Sequence, residues 1–152
     1  MSSLSFLRKK SSGKKNLQFD DCMIRKNIIY NQPLEKEIGF SRATRIGNII
    51  AISGTAPISE DGSTCYPGDA YNQSIRCLEI IKDALEKANG RLEDVIRTRI
   101  YLKDITKWKV VAKAHGEYFL KIQPVCTFVE VKAFINPDWE VEIEADAVID
   151  ND

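Results

Sequence analysis

The chain has 152 residues, 43% of them hydrophobic and 29% charged. That is enough for one ordinary globular domain with a sizeable core and too little for two large ones. Its 22 Lys and Arg balance 22 Asp and Glu, so no overall charge points to nucleic acid or an acidic membrane, and no apolar run approaches the roughly 20 residues that span a bilayer.

The balance hides an asymmetry. Residues 1–16 carry five cations (Arg8, Lys9, Lys10, Lys14, Lys15) and no acid, which leaves 17 cations against 22 acids in the rest. The cysteines are Cys22, Cys65, Cys77 and Cys126, none within four residues of another, and His115 is the one histidine. Such spacing offers no paired metal ligands, so neither a metal nor a cofactor is expected. Free thiols in a reducing cytoplasm are the expectation.

In chain order, residues 1–22 read as a basic, Ser- and Lys-rich extension with little apolar content to bury. A disordered tail, or translation from upstream of a natural start at Met23, is preferred over an organelle-targeting leader. Residues 23–152 then read as a single domain. Residues 25–30 predict a short strand. Ser41–Arg45 and Asn48–Ser53 predict two more, with Gly47 and Asn48 supplying the turn. Ser59–Gly68 is dense in turn residues and reads as a loop.

A helix is predicted from Asp69 to Asn89, because Ile75, Leu78, Ile81, Leu85 and Ala88 recur at helical spacing. Asp69 is its expected N-cap and Gly90 its expected stop. Val95–Leu102 alternates, with Ile96, Thr98, Ile100 and Leu102 on one side and Arg97, Arg99 and Tyr101 on the other. A second helix is predicted over Thr106–Leu120, with Trp108, Val111, His115 and Tyr118 on one stripe. Gly116 within it suggests close approach by a neighbouring element. Two last strands, Thr127–Phe134 and Trp139–Ile149, are joined by the turn Asn136-Pro137-Asp138.

In the last strand Val141, Ile143, Ala145 and Ala147 fill one face, and Glu140, Glu142, Glu144 and Asp146 fill the other. Crossover helices of one hand fall on one face of a sheet. The other face is then polar, and its acidic row needs cations nearby, with Arg97, Arg99 and Lys132 as candidates. Such a face is either solvated or turned into the interior of an oligomer.

Four separated blocks carry a family resemblance: IGNIIAISGTAP (46–57), YPGDAYNQSIRCLEIIKDALEKAN (66–89), LEDVIRTRIYLKD (92–104) and VEVKAFINPDWEVEIEADAV (129–148). Together they resemble the Rid/YjgF family, also called endoribonuclease L-PSP or translation-inhibitor-like, over about residues 24–149. The resemblance implies a chorismate-mutase-like α+β fold, a mixed sheet with two helices on one face. It further implies a homotrimeric barrel with sheets inward and small-molecule clefts between subunits. Well-known members hydrolyse reactive enamines and imines to 2-oxo acids and ammonia.

That chemistry needs a cation for the substrate carboxylate, an oriented water and an acid/base. The family supplies the cation as an arginine in a P-x-R-S stretch, a residue whose planar fork suits a carboxylate. Here Pro124-Val125-Cys126-Thr127 puts Cys126 at that place, and Ala112 stands where active members carry an asparagine. The family glutamate is retained as Glu142, the glycine of the SG turn as Gly54, and Phe40 replaces a usual tyrosine. The chain thus resembles an arginine-less branch.

Glu142 and Cys126 are the candidate catalytic residues. Phe40, Gly54, Thr127, Phe128 and His115 are candidate ligand-binding residues. Cys126 as a plain cleft wall is preferred over Cys126 as nucleophile, since no cation or base stands near it in sequence. His115 reads first as a structural histidine on an apolar stripe. Arg42 and Arg45 read as surface cations, either of which is a candidate replacement for the missing clamp. The function this supports is a small-metabolite cleft, with enamine/imine hydrolysis on an altered substrate as its candidate chemistry. A non-catalytic binding or chaperone-like trimer is the alternative. A ribonuclease comes third, because an acidic body grips phosphates poorly.

Overall fold

The structure is a computed structural model that describes residues 24–150. The basic extension, residues 1–22 with Cys22, lies outside the described residues. The strands are β1 (Arg25–Ile28), β2 (Ala43–Ile46), β3 (Ile49–Thr55), β4 (Val95–Leu102), β5 (Val125–Glu130) and β6 (Val141–Val148). The helices are α1 (Pro33–Ile38), α2 (Ala70–Lys87) and α3 (Trp108–Phe119). All six strands form one mixed sheet in the order β1-β2-β3-β6-β4-β5, with only the β4–β5 pair parallel.

The first strands follow the expected pattern. β2 and β3 are a hairpin whose turn places Gly47 at φ 60°, a left-handed conformation that glycine adopts without steric cost. Between β1 and β2 lies α1, which sequence periodicity missed. Six residues are too few to show a helical stripe. Local chemistry holds it instead: Pro33 opens it, the Glu35 carboxylate accepts from the Tyr30 and Gln32 N–H groups at 2.9 and 3.3 Å, and Gly39 at φ 82° ends it.

α2 starts as expected, with Asp69 Oδ1 accepting from the Asn72 N–H at 3.0 Å. Its end differs. The left-handed residue is Asn89 (φ 60°), not Gly90. The Asn89 N–H donates to Glu86 O at 3.0 Å and the Gly90 N–H to Leu85 O at 2.8 Å, the pair of bonds that closes a Schellman turn. Gly90 is small for another reason: a β-carbon there would lie 2.6 Å from Ile50 Cδ1.

β4 matches its expected span, but Ile96 does not face the core. A bulge between Val95 and Arg97 pushes it out of register, and it stays 52% exposed. In α3, Val111, Ala114 and Phe119 are buried, whereas Trp108, expected on the buried stripe, is exposed. Gly116 is not a close-approach point among the described residues, because an added β-carbon would meet nothing within 4 Å.

The C-terminal strands are not a hairpin. β5 stops at Glu130 and lies parallel to β4 on the sheet edge, while β6 enters between β3 and β4. The turn before β6 is present: the Asp138 N–H donates to Asn136 Oδ1 at 2.9 Å, and Asn136 Nδ2 donates to Thr64 Oγ1 at 3.2 Å, tying it to the Ser59–Gly68 loop.

α2 and α3 cover one face. There Ile50, Ile100, Leu102, Val141 and Ile143 meet Leu78, Ile81, Leu85, Val111 and Phe119, all buried. Each such side chain contributes roughly 1.5–3 kcal/mol of burial. The opposite face is open. Its acidic row is Glu142, Glu144 and Asp146, and Arg99 bridges the last two at 3.3 and 3.2 Å. Arg97 and Lys132 form no ion pair with the row among the described residues. Glu140 leaves the row altogether. It is buried, its carboxylate lies 2.6 Å from Lys107 Nζ, and its N–H donates to Gln73 Oε1 at 2.7 Å.

Candidate functional site

The bulge that offsets β3 from β6 falls between Ile52 and Thr55 and contains Ser53 and Gly54. It leaves a bare patch of backbone on the open face. The Glu142 carboxylate occupies that patch, so close that a β-carbon at Gly54 would overlap Oε1. Burial pushes the Glu142 carboxyl above its ordinary range. The nearby Arg42 opposes that rise and Glu144 adds to it. A half-buried carboxyl with a raised pKa is a suitable proton carrier.

Arg42 is not a surface cation. It is 4% exposed, and its Nη1 donates to Gly54 O at 3.0 Å and to Thr55 Oγ1 at 3.1 Å. Burial lowers its pKa, and Glu35 is the chief opposing charge. The guanidinium therefore fixes the bulge from behind. Phe40 lies beside it, with the Arg42 guanidinium carbon 5.9 Å from the ring centre. Arg45 is spent elsewhere: its Nε donates to Gly47 O at 2.8 Å and its Nη1 to Ala88 O at 2.9 Å, at the carbonyl end of α2. Neither arginine replaces the missing clamp. Nothing in the sequence distinguishes Arg42, which organises the bulge, from Arg45 three residues on.

The other candidates gather elsewhere. Cys126 is in register with Thr98, and Phe128 with Ile100, so both point to the helix-covered face at the β5 edge. There His115 Nε2 lies 2.9 Å from Thr98 Oγ1 and 4.0 Å from Cys126 Sγ. The His115 ring packs 4.7 Å from that of Phe119 and 6.5 Å from that of Phe128, centre to centre. Burial lowers the His115 pKa, so the ring is neutral at neutral pH. A base does stand beside Cys126, although no neighbour in sequence announces it. Thr127 is in register with Arg99 and so faces the open side.

Within the chain, then, Phe40, Gly54 and Glu142 form one group with Arg42. Cys126, His115 and Phe128 form a second group. Glu142 is paired with Tyr101 on the open face, the opposite face from Cys126. The two expected catalytic residues are not brought together in a single chain. Among the described residues no cluster of His, Cys, Asp and Glu is suited to a metal, and no helix is long and apolar enough to cross a membrane.

The fold and the site define a small α+β domain of the YjgF type, with two helices on one sheet face and a glycine-seated carboxylate on the other. The chain belongs to the endoribonuclease L-PSP family, the Rid/YjgF family, whose model matches residues 31–149. It is similar to a crystal structure of a YjgF/YER057c/UK114 family member from Mycobacterium tuberculosis. That match has 39% identity and a TM-score of 0.76, over 83% of this chain and 100% of the other. The YjgF gene product of E. coli is 29% identical with a TM-score of 0.70, over 81% and 98%. Among curated relatives, the 3-aminoacrylate deaminase RutC of Acinetobacter baylyi is 35% identical over 101 residues, 66% of this chain and 79% of the relative. A RutC family protein of Pyrococcus abyssi is 34% identical over 121 residues, 79% and 94%.

Proposed function

We propose that three copies assemble with their open sheet faces inward, and that a small metabolite binds in the clefts between them. Glu142 acts there on an enamine or imine, which is hydrolysed to a carbonyl product and ammonia. The observation that supports this is the separation of the two groups. The Glu142 carboxylate and the Cys126 side chain lie on opposite faces of the sheet within one protomer, so a pocket lined by both needs a second chain. Exposed Ile49, Val125 and Val129 add apolar area for such an assembly.

In this reading water attacks the imine carbon. Glu142 in its ionised form takes a proton from that water, and in its protonated form returns one to the leaving nitrogen. The Gly54 backbone lets substrate approach the carboxyl closely. The relative named 3-aminoacrylate deaminase supports ammonia release as the reaction class. Cys126 supplies no positive charge, and Arg42 and Arg45 are engaged with backbone oxygens. The substrate is therefore held with less help from a carboxylate clamp, and its choice is altered. The same missing cation favours the second reading, a metabolite-binding trimer without turnover.

The deciding experiment measures ammonia from 2-aminoacrylate and 3-aminoacrylate generated in situ. Turnover above the protein-free rate that is lost in Glu142→Gln supports hydrolysis. No turnover, with ligand-induced thermal stabilisation, supports the binding reading. Sedimentation at micromolar concentration tests the trimer, and a single protomer there removes the cleft. RNA cleavage that is retained in Glu142→Gln would revive the ribonuclease reading.

A further inference from the structure

We infer that Cys126 and His115 form a nucleophile–base pair that captures small, neutral, conjugated electrophiles as thioethers. The pair lies within one protomer, so the inference depends neither on the trimer nor on hydrolysis at Glu142.

Three features support it. First, a thiol becomes a nucleophile when a base takes its proton, and the two must lie within reach. Cys126 Sγ is 4.0 Å from His115 Nε2, the outer limit of a sulfur hydrogen bond. Second, the imidazole is held rather than loose. Thr98, fully buried on β4, hydrogen-bonds the same Nε2 at 2.9 Å, and the Phe119 and Phe128 rings flank it. Burial disfavours the imidazolium, so His115 takes the thiol proton only as sulfur bonds to carbon and holds no standing thiolate–imidazolium pair. Third, the thiol is open to reagents. Cys126 is exposed, whereas Cys65 is half-buried and Cys77 fully buried.

The surroundings select the electrophile class. The thiol faces the imidazole, and the imidazole is in turn surrounded by the Thr98 hydroxyl and the Phe119 and Phe128 rings. No ion pair of the described residues includes Cys126, His115 or their hydrogen-bond partners. An anionic acrylate meets no ion-pairing partner in this group among the described residues, so a neutral enone or maleimide is the preferred electrophile. In the step, the Thr98 hydroxyl turns away from His115 Nε2, which then accepts the thiol proton as sulfur bonds to the β-carbon. The carbon–carbon π bond breaks toward the carbonyl. The proton then passes from His115 to the α-carbon. Thiol and alkene become one thioether, and no oxidant or further reactant is needed.

The test is peptide mass spectrometry of the full chain after brief exposure to limiting N-ethylmaleimide. Cys126 is expected to be alkylated at least tenfold faster than Cys65. His115→Gln is expected to slow Cys126 at least fivefold and to leave Cys65 unchanged. Cys77 reports folding, because it is shielded in the intact core and labels only if the chain opens. Should His115→Gln expose Cys77, Thr98→Val decides. It keeps the shape of Thr98 but removes the hydroxyl that competes for Nε2, and is expected to speed Cys126 about two- to threefold. Equal rates for Cys126 and Cys65, or a Cys126 rate indifferent to the decisive variant, would overturn the inference.

Discussion

Gly54 and Glu142 are fitted to one another: the carboxylate of Glu142 occupies the volume that a β-carbon at position 54 would need. Gly54 does not adopt a left-handed backbone, so alanine is tolerated there by the main chain. What must yield is the flexible end of Glu142. Gly54→Ala is therefore expected to change stability by less than about 1 kcal/mol. It should lower ammonia release at least tenfold, because the carboxyl is turned away from its place. Urea denaturation alongside the ammonia assay checks this. A variant that is fully active, or that fails to fold, contradicts the assignment.

Glu142→Gln has opposite effects on activity and stability. The folded state raises the Glu142 carboxyl pKa, so folding favours the protonated form. That favourable contribution is present below the unfolded value of about 4.5 and is lost as pH rises through the folded value. Above it, the ionised carboxylate is held in a site that resists charge. Glutamine removes the cost, so Tm should exceed wild type at pH 7, with the gap closing near pH 4. Activity should fall on the order of 100-fold or more. A variant less stable than wild type at pH 7 would show that the carboxylate is paired rather than strained.

Arg42→Met removes the donor of two bonds to the bulge, at Gly54 O and Thr55 Oγ1. A buried polar group left without its partner costs about 1–3 kcal/mol, and a loss of this order is expected in chemical denaturation. Arg42 also holds the Glu142 pKa down against burial. Its removal should move the pH midpoint of activity upward. An unchanged midpoint would mean that the guanidinium and the carboxyl do not sense each other.

The end of α2 separates two kinds of constraint. Gly90→Ala places a methyl group 2.6 Å from Ile50 Cδ1, and overpacking of that kind costs about 1–3 kcal/mol. Asn89→Ala meets a different penalty, that of a β-branchless but chiral residue at φ 60°, on the order of 1 kcal/mol. Asn89→Gly should instead be neutral or slightly stabilising. Denaturation midpoints of the three variants rank them.

The periodic elements are legible in the sequence alone. α2 and β4 fall where Leu78, Ile81, Leu85 and the Val95–Leu102 alternation place them, because one-sided burial imprints its period on the sequence. What escaped has no period. α1 rests on a cap, a proline and a glycine. The outward turn of Ile96 comes from a one-residue bulge that alternation cannot reveal. The separation of β5 and β6 is a topological choice, and the Asn136-Pro137-Asp138 turn is compatible with either outcome. For the site, family likeness singles out Gly54 and Glu142 as candidates, and the fold brings the two into contact. Arg42 escaped because a buried cation held by backbone oxygens reads like any strand-end arginine. The nearness of His115 and Cys126 escaped because it depends on a helix laid over a parallel strand pair.

The seam strand β6 also sets an order of events at the ribosome. It is made after every other strand, yet it is hydrogen-bonded on both sides, to β3 and to β4. Until residue 148 has left the exit tunnel, the β1–β3 meander and the β4–β5 pair have no ladder between them. Each half then shows an unpaired edge to its surroundings. Cooperative closure must wait for β6, and a nascent chain stalled just short of it exposes two sticky half-sheets in place of one closed sheet.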